Sequence, residues 1–528
     1  MVFAQGCGII SFNLEPTGDS GIKKTTVVDS AFRHADSVTV IAGPEYEAGS
    51  FHRWLWGDHY RAEWTAPFPV KVLDLHTFAD GLAAVKRGGG YQTKSLRFKG
   101  KNGKLYAFRS INKDPTKALP LELRDTFAGG VIQDQISSSH PAAPLVVDVL
   151  AHALGVLHPK PMMCILPDDE RLGEFRGDFA GVLGILEDYP ADGPDGTAGF
   201  ANSKKIVNTL DLFDELEKNS EDHVNAPAYL TARLLDILVG DWDRHIDQWR
   251  WAKFEEQGRD VWYPIPRDRD QAFAKLDGVF PSLGAKAITQ VEGFGEFFPK
   301  IADLTFSGRN TDRRLLPGLE QRMWDSITTH VMRTLSDSVI EVALSRVPQS
   351  LRANNTWISS NVKSRRDNLE IAAREYYAGL AEYVDIHLSN KDETVKVERM
   401  DEMNTSVIAY RMEKESGKPN GAPVFNRTFR TRETTEIRIY LHGGDDKAVV
   451  IGKVDDGITV RIIGGGGDDI MEDSSDVQGN VWGFLPFTSS CTATFFYDDK
   501  GDNVFISGPG TRIDKKTHAN TLRASQQY

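Results

Sequence analysis

Cysteine is scarce in this chain of 528 residues, which contains three, Cys7, Cys164 and Cys491. They lie far apart and lack the short spacings of zinc ligands or of a disulfide framework, so neither kind of site is predicted. Long apolar runs are lacking too, because no stretch reaches about eighteen apolar residues, the length of a membrane-spanning helix. The sequence therefore predicts a protein without a transmembrane helix.

An excess of positive charge is likewise absent. The formal net charge is -13 at pH 7, and the isoelectric point is near 5.5. Such a surface repels a phosphate backbone except at a local basic patch, so nucleic acid is not expected as a partner. A hydrophobic content of 40% with 26% charged residues is typical of a globular protein, and the length suits roughly three domains.

The first residues allow two locations for the protein. The stretch from Val2 to Cys7 resembles the end of an export signal, with small residues before a cysteine. If the natural start lies upstream, we expect a protein of the periplasm or cell envelope. If Met1 is the true start, we expect a cytoplasmic one.

Carboxylates are concentrated in two short segments of the chain. Residues 240–248 and 263–273 together contain five Asp and two Gln among apolar neighbours. Carboxylates held close together repel one another, so one of them has a raised pKa or the group binds a hard cation such as Mg²⁺ or Mn²⁺. A solvated loop neutralised by the adjacent arginines is the alternative.

The order of these acids fits phosphoryl transfer. That chemistry needs a loop Asp that orients the attacking hydroxyl and a later Asp, after a strand, that holds metal at the phosphates. Asp243 is the catalytic candidate by this order. The metal candidates are Asp268, Gln248, Asp247 and Asp270.

Both segments resemble motifs of known kinases. DRHIDQ (243–248) resembles the DRHxxN catalytic loop of the HipA-type, phosphatidylinositol and secretory-pathway atypical kinases, and PRDRDQAF (266–273) resembles their IDxGxAF metal segment. The resemblance implies a kinase fold that uses ATP with Mg²⁺ or Mn²⁺. It makes Asp243 the catalytic Asp, Gln248 the counterpart of a metal-binding Asn, and Asp268 the metal Asp. Two departures are Gln248 in place of Asn and Asp270 in place of glycine.

A glycine-rich hairpin upstream fits the nucleotide side of such a site. Gly88, Gly89 and Gly90 lead into an alternating strand, and glycine lets backbone amides approach phosphates closely. Arg109 on the return strand, or Lys113 just beyond it, is predicted to bind phosphate. Without the downstream acids, an ordinary hairpin explains the pattern equally well.

Three further acids are candidates on this side of the site. Asp134 and Asp148 lie on predicted helices and compete as the acidic partner of the phosphate-binding base. A buried strand that runs from Phe179 to Pro190 is predicted to bring Glu187 and its neighbours to an adenine through their backbone groups. An ordinary edge strand is the alternative for this segment.

The overall pattern predicts an α+β protein, with a two-lobed protein-kinase-like domain followed by a β-rich domain. The predicted ranges are an N-terminal extension with an aromatic arm (1–64), an N-lobe (65–190), a helical C-lobe (191–390) and a β-rich domain (391–528). The last domain is expected to be a sandwich or a short solenoid. In it the residues 443–446 recur as 466–469, and residues 464–472 match the calcium-binding repeat of β-roll proteins, which implies Ca²⁺.

Three functions are compatible with these observations. The first is an ATP-dependent phosphotransferase, whose acceptor the sequence does not identify. The second is a non-catalytic kinase-like binding or scaffold module at a bacterial surface, favoured by Gln248 and Asp270. The third arises because LRFKGKNGKLYAFRSINKDP and GDWDRHIDQWRW also resemble part of bacterial proteins with an amino-terminal calcineurin-like metallophosphoesterase domain; that domain's core is not present here, so the chain would be a fragment.

Overall fold

The computed structural model describes residues 25–28, 35–88, 93–118, 127–285, 291–414, 416–478, 490–498 and 500–515. Gly89, Gly90 and Cys7 lie outside these ranges. Helices and sheets are mixed along the described chain, as an α+β protein requires. Within the described residues, no helix is long and apolar enough to cross a bilayer.

The first half of the chain forms an eight-stranded sheet in the order β1-β2-β3-β7-β8-β6-β5-β4. Its strands are β1 Thr26–Val27, β2 Ser37–Ile41, β3 Pro67–Val72, β4 Leu82–Gly88, β5 Ser95–Gly100, β6 Leu105–Ser110, β7 Met162–Ile165 and β8 Leu183–Asp188. The associated helices are α1 Ser50–Trp56, α2 Arg61–Thr65, α3 Phe127–Asp134, α4 Ala143–Ala153 and α5 Arg176–Phe179. Since β2 pairs with β3, part of the predicted N-terminal extension belongs to this sheet.

Alternation along β5 and β6 separates an apolar face of the sheet from a charged one. Leu96, Phe98 and Phe108 are fully buried in a small core. Arg97 pairs across the sheet with Ala107, so both lie on the opposite face. This charged face is the N-lobe side of the candidate site.

The middle of the chain is mainly helical, with a four-stranded sheet in the order β10-β12-β11-β9. Its strands are β9 Lys205–Val207, β10 His223–Val224, β11 Trp249–Glu256 and β12 Arg259–Pro266. The helices are α6 Thr209–Lys218, α7 Ala226–Val239, α8 Val279–Ala285, α9 Ile301–Leu304, α10 Arg309–Leu315, α11 Gln321–Thr334, α12 Asp337–Ser345, α13 Asn355–Asp367 and α14 Leu369–Ala381. The apolar spacing of 226–239 predicts α7 with these bounds. The spacing over 319–346 predicts a single helix, but the structure has two, α11 and α12, because Ser336 caps the start of the second.

The C-terminal part contains thirteen strands among its described residues. They are β13 Tyr383–His387, β14 Glu393–Arg399, β15 Asn404–Met412, β16 Pro419–Arg430, β17 Glu436–Gly443, β18 Lys447–Ile451, β19 Lys453–Val454, β20 Thr459–Gly466, β21 Ile470–Asp473, β22 Asp476–Val477, β23 Thr494–Tyr497, β24 Val504–Ile506 and β25 Thr511–Asp514. From β17 onward the longer strands alternate between two sheets and pair in parallel with the preceding turn of chain. Of the two predicted architectures, this is a short solenoid.

The solenoid begins earlier than the predicted boundary at residue 391. Strand β13 pairs in parallel with β17, and β14 with β18, so they form the first coil. The sequence instead predicts a helix that continues to Asp385. A β-branched and aromatic run from Tyr383 ends the helix, because Val384 and Ile386 are buried in the solenoid core.

Side-chain oxygens connect the successive coils. Asp392 accepts a hydrogen bond from the backbone N–H of Asp445 (3.0 Å), and Asp445 accepts one from that of Asp468 (3.0 Å). Asp468 in turn accepts from the backbone N–H of Asp502 (2.8 Å). The recurring Asp pairs of the sequence therefore hold the turns of the solenoid in register.

Candidate functional site

The loop that contains Asp243 begins where α7 ends. Gly240 adopts a left-handed conformation (φ 71°), and its N–H bonds to the carbonyl oxygens of Asp236 and Ile237. Glycine is favoured at such a helix end because it has no side chain to clash. The turn directs the chain away from the buried helix, so Asp243 leaves the core.

Strand pairing brings the two acidic segments together. Strand β11 pairs antiparallel with β12, with Trp249 opposite Pro266. Just beyond this pair, the backbone N–H of Arg267 donates to the carbonyl oxygen of Gln248 (2.9 Å). The residues that precede β11 therefore adjoin those that follow β12.

Arg244 joins the two acidic segments through hydrogen bonds. Its Nη1 donates to the carbonyl oxygens of Arg267 (2.7 Å) and Asp268 (3.3 Å). The guanidinium is fully buried and lies 5.0 Å from the ring centroid of Trp249. Arg244 therefore holds the backbone around Asp268 at a fixed position relative to the Asp243 loop.

A buried ion-pair network supports the loop from below. Asp241 lies 3.4 Å from both Arg244 and Arg269. Arg233 joins Asp236 (3.0 Å) to Asp312 (2.9 Å) in the same layer. Burial raises the pKa of Asp241 to about 6. Asp241 is thus a structural acid, unlike Asp243 two residues later.

Asp268 is an ionised carboxylate in a strained backbone. Its backbone φ of 58° is rarely adopted by residues other than glycine, and such outliers concentrate at functional sites. Burial alone would raise its pKa, but Arg109 and Lys113, with further guanidinium groups, lower the pKa to about 2. Within the described chain, no hydrogen bond or ion pair involves its carboxylate.

Asp243 has a different environment. Burial raises its pKa, while the positive charges of His245 and Lys113 act in the opposite direction, and Asp268 adds to the rise. Its nearest charged partner among the described residues is His245, whose Nε2 is 3.9 Å from Oδ1. Asp243 is therefore a partly buried carboxylate whose nearest partner, His245, is 3.9 Å away.

The predicted phosphate-binding bases have other partners than expected. Arg109 forms an ion pair with Glu187 (2.7 Å) on the neighbouring strand β8, and Lys113 forms one with Asp270. The predicted partners are wrong, because Asp134 pairs with Arg61 and Asp148 with His158. The helix of Asp134 does contact Lys113, through Gln133, which donates to the Lys113 carbonyl oxygen (2.9 Å), but Asp134 itself faces Arg61.

The remaining site candidates, Gly88, Gln248 and Asp247, lie in different surroundings. Gly88 ends β4, and a Cβ on it would lie 3.1 Å from Arg97 Nε, so Gly88 lies on the same face of the sheet as Arg97. Gln248 lies beside His245, with 3.4 Å between the side-chain nitrogens. Asp247 is separate, with its side chain 84% exposed and directed toward His245.

The donor atoms suit a divalent cation only together with further ligands. Within the described residues, no three His, Cys, Asp or Glu side chains are grouped to hold a metal. Mg²⁺ commonly uses one or two protein carboxylates and takes its other ligands from water and phosphate. Asp268, ionised and without a partner in that part of the chain, fits this requirement.

Sequence reasoning missed a second cluster of charge at this site. Arg97 and Arg267 lie against the ring of Tyr189, at 3.2 Å and 5.3 Å from its centroid. Arg250 also acts on this side chain, since it lowers the pKa of Tyr189. The alternation of β5, which places Arg97 between buried Leu96 and Phe98, is the signal that could have identified the first of them.

Comparison with known proteins gives limited similarity. No protein-family model and no curated protein matches the chain. Among solved structures, a proinflammatory kinase CtkA of Helicobacter pylori is 13% identical, with a TM-score of 0.30 over 58% of this chain and 99% of its own.

Two further structures have comparable scores. The HipA, HipB and operator DNA complex of Shewanella oneidensis MR-1 is 11% identical, with a TM-score of 0.30 over 56% of this chain and 74% of the matched one. The Golgi casein kinase with Mn/ADP bound is 14% identical, with a TM-score of 0.31 over 56% and 72%. Likeness of this degree does not by itself establish a common fold.

Proposed function

We propose that the protein is an ATP-dependent phosphotransferase of atypical kinase type. The observation that supports this most is the proximity of Asp243 to Asp268, which adds to the rise in the pKa of Asp243. One is a carboxylate with a raised pKa, and the other is a carboxylate kept ionised by surrounding cations. Two such unlike carboxylates near each other suit a proton acceptor beside a metal-binding acid.

Each residue then has a distinct role. In the transfer, the acceptor hydroxyl bonds to the γ-phosphorus while the bond from that phosphorus to the ADP oxygen breaks. Asp243 orients the hydroxyl and accepts its proton. Arg109 and Lys113 contribute positive charge to the phosphates, and the sequence predicts that the backbone amides of glycines 88–90 bind phosphate as well.

The divalent cation would be held by Asp268. Asp270 is two residues away in the chain, and Gln248 is near because its carbonyl oxygen accepts from the N–H of the adjacent Arg267 (2.9 Å). Asp247 is too exposed to join Asp268 without a change of the loop. Bound there, Mg²⁺ or Mn²⁺ would neutralise charge on the phosphate oxygens. Carboxylate and amide oxygens are the donors that such cations prefer.

A non-catalytic nucleotide-binding or scaffold module is the second candidate. The observation that favours it is the ion pair between Lys113 and Asp270, the residue in place of the expected glycine. A lysine engaged by a carboxylate has less charge to offer a phosphate. The resemblance to chains with a metallophosphoesterase domain stays a hypothesis about sequence alone.

Calcium in the solenoid stays a prediction as well. Asp446 and Asp469 are buried, and the Oδ2 atom of each has no hydrogen-bond partner. Oxygens of this kind are ligands that Ca²⁺ prefers. Protons on the same carboxyls are the alternative, and the two are distinguished by the pH experiment described below.

The proposed function is tested by ATP binding in the presence of Mg²⁺ or Mn²⁺. A ligand that binds the folded protein raises its thermal unfolding midpoint. We expect ATP with Mg²⁺ to do so for the wild-type chain, and Asp268→Asn to remove the part that depends on Mg²⁺. Asp247→Asn, an exposed acid of the same site region, is the matched control. A wild-type protein whose midpoint is unmoved by ATP under both cations is not a kinase of this kind.

A further inference from the structure

Three arginines surround Tyr189 just after the end of β8, and none has a role in the proposed transfer. They are Arg97 of β5, Arg250 of β11 and Arg267, which follows β12. Two lie over the tyrosine ring, and the charge of Arg250 acts on the hydroxyl of Tyr189. The tertiary structure assembles this arginine cluster from β5, β11 and the residue after β12.

The cluster has more positive charge than the neighbouring acids balance. The acids that act on it are Glu187 and Asp268. Glu187 is already paired with Arg109 at 2.7 Å. Across the described chain, no ion pair within 4 Å involves Arg97, Arg250 or Arg267.

Arg267 is the most buried member of the cluster. It is only 9% exposed, and in the part of the chain that the structure describes its guanidinium has no hydrogen bond. The Nε atom of Arg97 is also buried without a hydrogen-bond partner. A buried guanidinium group is costly unless an anion or acceptor satisfies it.

The titration of Tyr189 agrees with crowded positive charge. Burial alone would raise its pKa, but Arg97 and Arg250 lower it to about 8. An anion placed among the arginines would relieve this shift.

We propose that Arg97, Arg250 and Arg267 form an anion-binding subsite that takes a phosphoryl group. Planar guanidinium groups offer paired N–H donors that match phosphate oxygens, and several converge here. The subsite adjoins the Asp268 position without including it. The phosphoryl group belongs either to a phosphorylated acceptor or to the nucleotide, and that choice rests on the proposed function.

Inorganic pyrophosphate without added metal is the probe for this subsite. Its affinity for the full chain is measured by calorimetry at constant ionic strength. Loss of one charge-assisted contact is worth about a factor of ten or more, so Arg250→Gln and Arg267→Gln should each weaken pyrophosphate binding by at least about tenfold. Arg259→Gln, an exposed arginine at the start of β12, should leave it unchanged.

Two results would overturn the proposal. One is pyrophosphate affinity that survives in both cluster variants, and the other is an equal loss in Arg259→Gln, which would indicate general charge attraction. Since Arg267 is nearly buried, the unfolding midpoint of each variant without ligand is measured as well. Arg250 is more accessible, so its variant decides the question if Arg267→Gln does not fold.

Two further arms identify the source of the phosphoryl group. If pyrophosphate affinity is unchanged at saturating ATP and Mg²⁺, the subsite serves the acceptor. If ATP abolishes it, the group is a phosphate of the nucleotide. Asp268→Asn should lose Mg²⁺-dependent ATP binding yet keep pyrophosphate binding, so a failed kinase proposal and a failed subsite are told apart.

Discussion

At the scale of single residues, Asp243 and Asp247 stand four positions apart on one loop and differ in surroundings. The Asp243 side chain is 21% exposed, and that of Asp247 is 84% exposed. Asp241 is fully buried between two arginines. Three acids that look alike in the sequence therefore divide into a structural one, a reactive candidate and a solvated one.

Asp243→Asn should abolish transfer and spare ATP binding. Removing a positioned general base typically lowers the rate by on the order of 100- to 10,000-fold without loss of ground-state affinity. The measurement is turnover of ATP with and without candidate hydroxyl acceptors, beside a binding isotherm. Asp247→Asn should retain full turnover. Equal turnover by the two variants would contradict the role given to Asp243.

At the scale of elements, the turns of the solenoid depend on close approach of the backbone. Gly467 has φ of 113°, and a Cβ on it would lie 1.9 Å from the carbonyl oxygen of Gly444 in the preceding coil. Its neighbour Gly466 has open space at the same position. Two adjacent glycines therefore carry different constraints.

Gly467→Ala should destabilise the chain, while Gly466→Ala should not. A residue forced into a conformation closed to it costs on the order of 1 to 3 kcal/mol, and the clash with the adjacent coil adds to this. Urea unfolding followed by circular dichroism measures the difference. Similar midpoints for the two variants would mean that the coils are not as closely stacked as the structure has them.

The pH dependence of the solenoid is set by its buried carboxyls. Burial and neighbouring acids raise the pKa of Asp446 from an ordinary 3.8 to about 9, and that of Asp469 to about 7. At pH values between the ordinary pKa of 3.8 and these raised pKa values, the folded chain binds more protons than the unfolded one. Stability should therefore fall as the pH rises from about 4 toward 9.

This expectation is checked by urea midpoints at pH 5, 7 and 9. Asp446→Asn should flatten the curve, because an amide does not titrate. If Ca²⁺ binds these oxygens, adding it near pH 8 should restore stability in the wild-type chain and not in Asp469→Asn. A midpoint that rises with pH in the absence of calcium would contradict the protonated state of Asp446.

At the scale of the whole molecule, the boundary between the helical part and the solenoid lies just before β13. Val384 and Ile386 belong to the solenoid core. The two parts are also joined by polar contacts, since Asp385 pairs with Arg313 (2.9 Å) and Tyr377 donates to Glu433 (2.9 Å). The first coil is thus both the start of the solenoid and its junction with α10 and α14.

A fragment of residues 382–528 should fold as a β domain, whereas 395–528 should not. The shorter fragment lacks β13 and the start of β14, so β17 and β18 each lose a parallel neighbour. Far-ultraviolet circular dichroism and a cooperative thermal transition measure this. A cooperative transition in 395–528 equal to that of 382–528 would show that the first coil is dispensable.

The sequence by itself determined much of the local structure. The apolar spacing and end signals of 226–239 predict helix α7 because a cap at Asn225 and a left-handed Gly240 act within a few residues. The strands predicted at 448–451 and 458–463 likewise lie close to β18 and β20. The association of Asp243 with Asp268 was an expectation from the resemblance of the two segments to kinase motifs.

Only the tertiary structure decided which side chains meet. Arg109 finds Glu187 and not Asp134, because β8 is the neighbour of β6 in the sheet. In the arginine cluster, Arg97 of β5 meets two arginines of the β11–β12 hairpin more than 150 residues later, and no local pattern predicts that meeting. Burial then sets the pKa values and the cost of unpaired charge, and burial depends on how distant segments pack, which spacing along the chain does not determine.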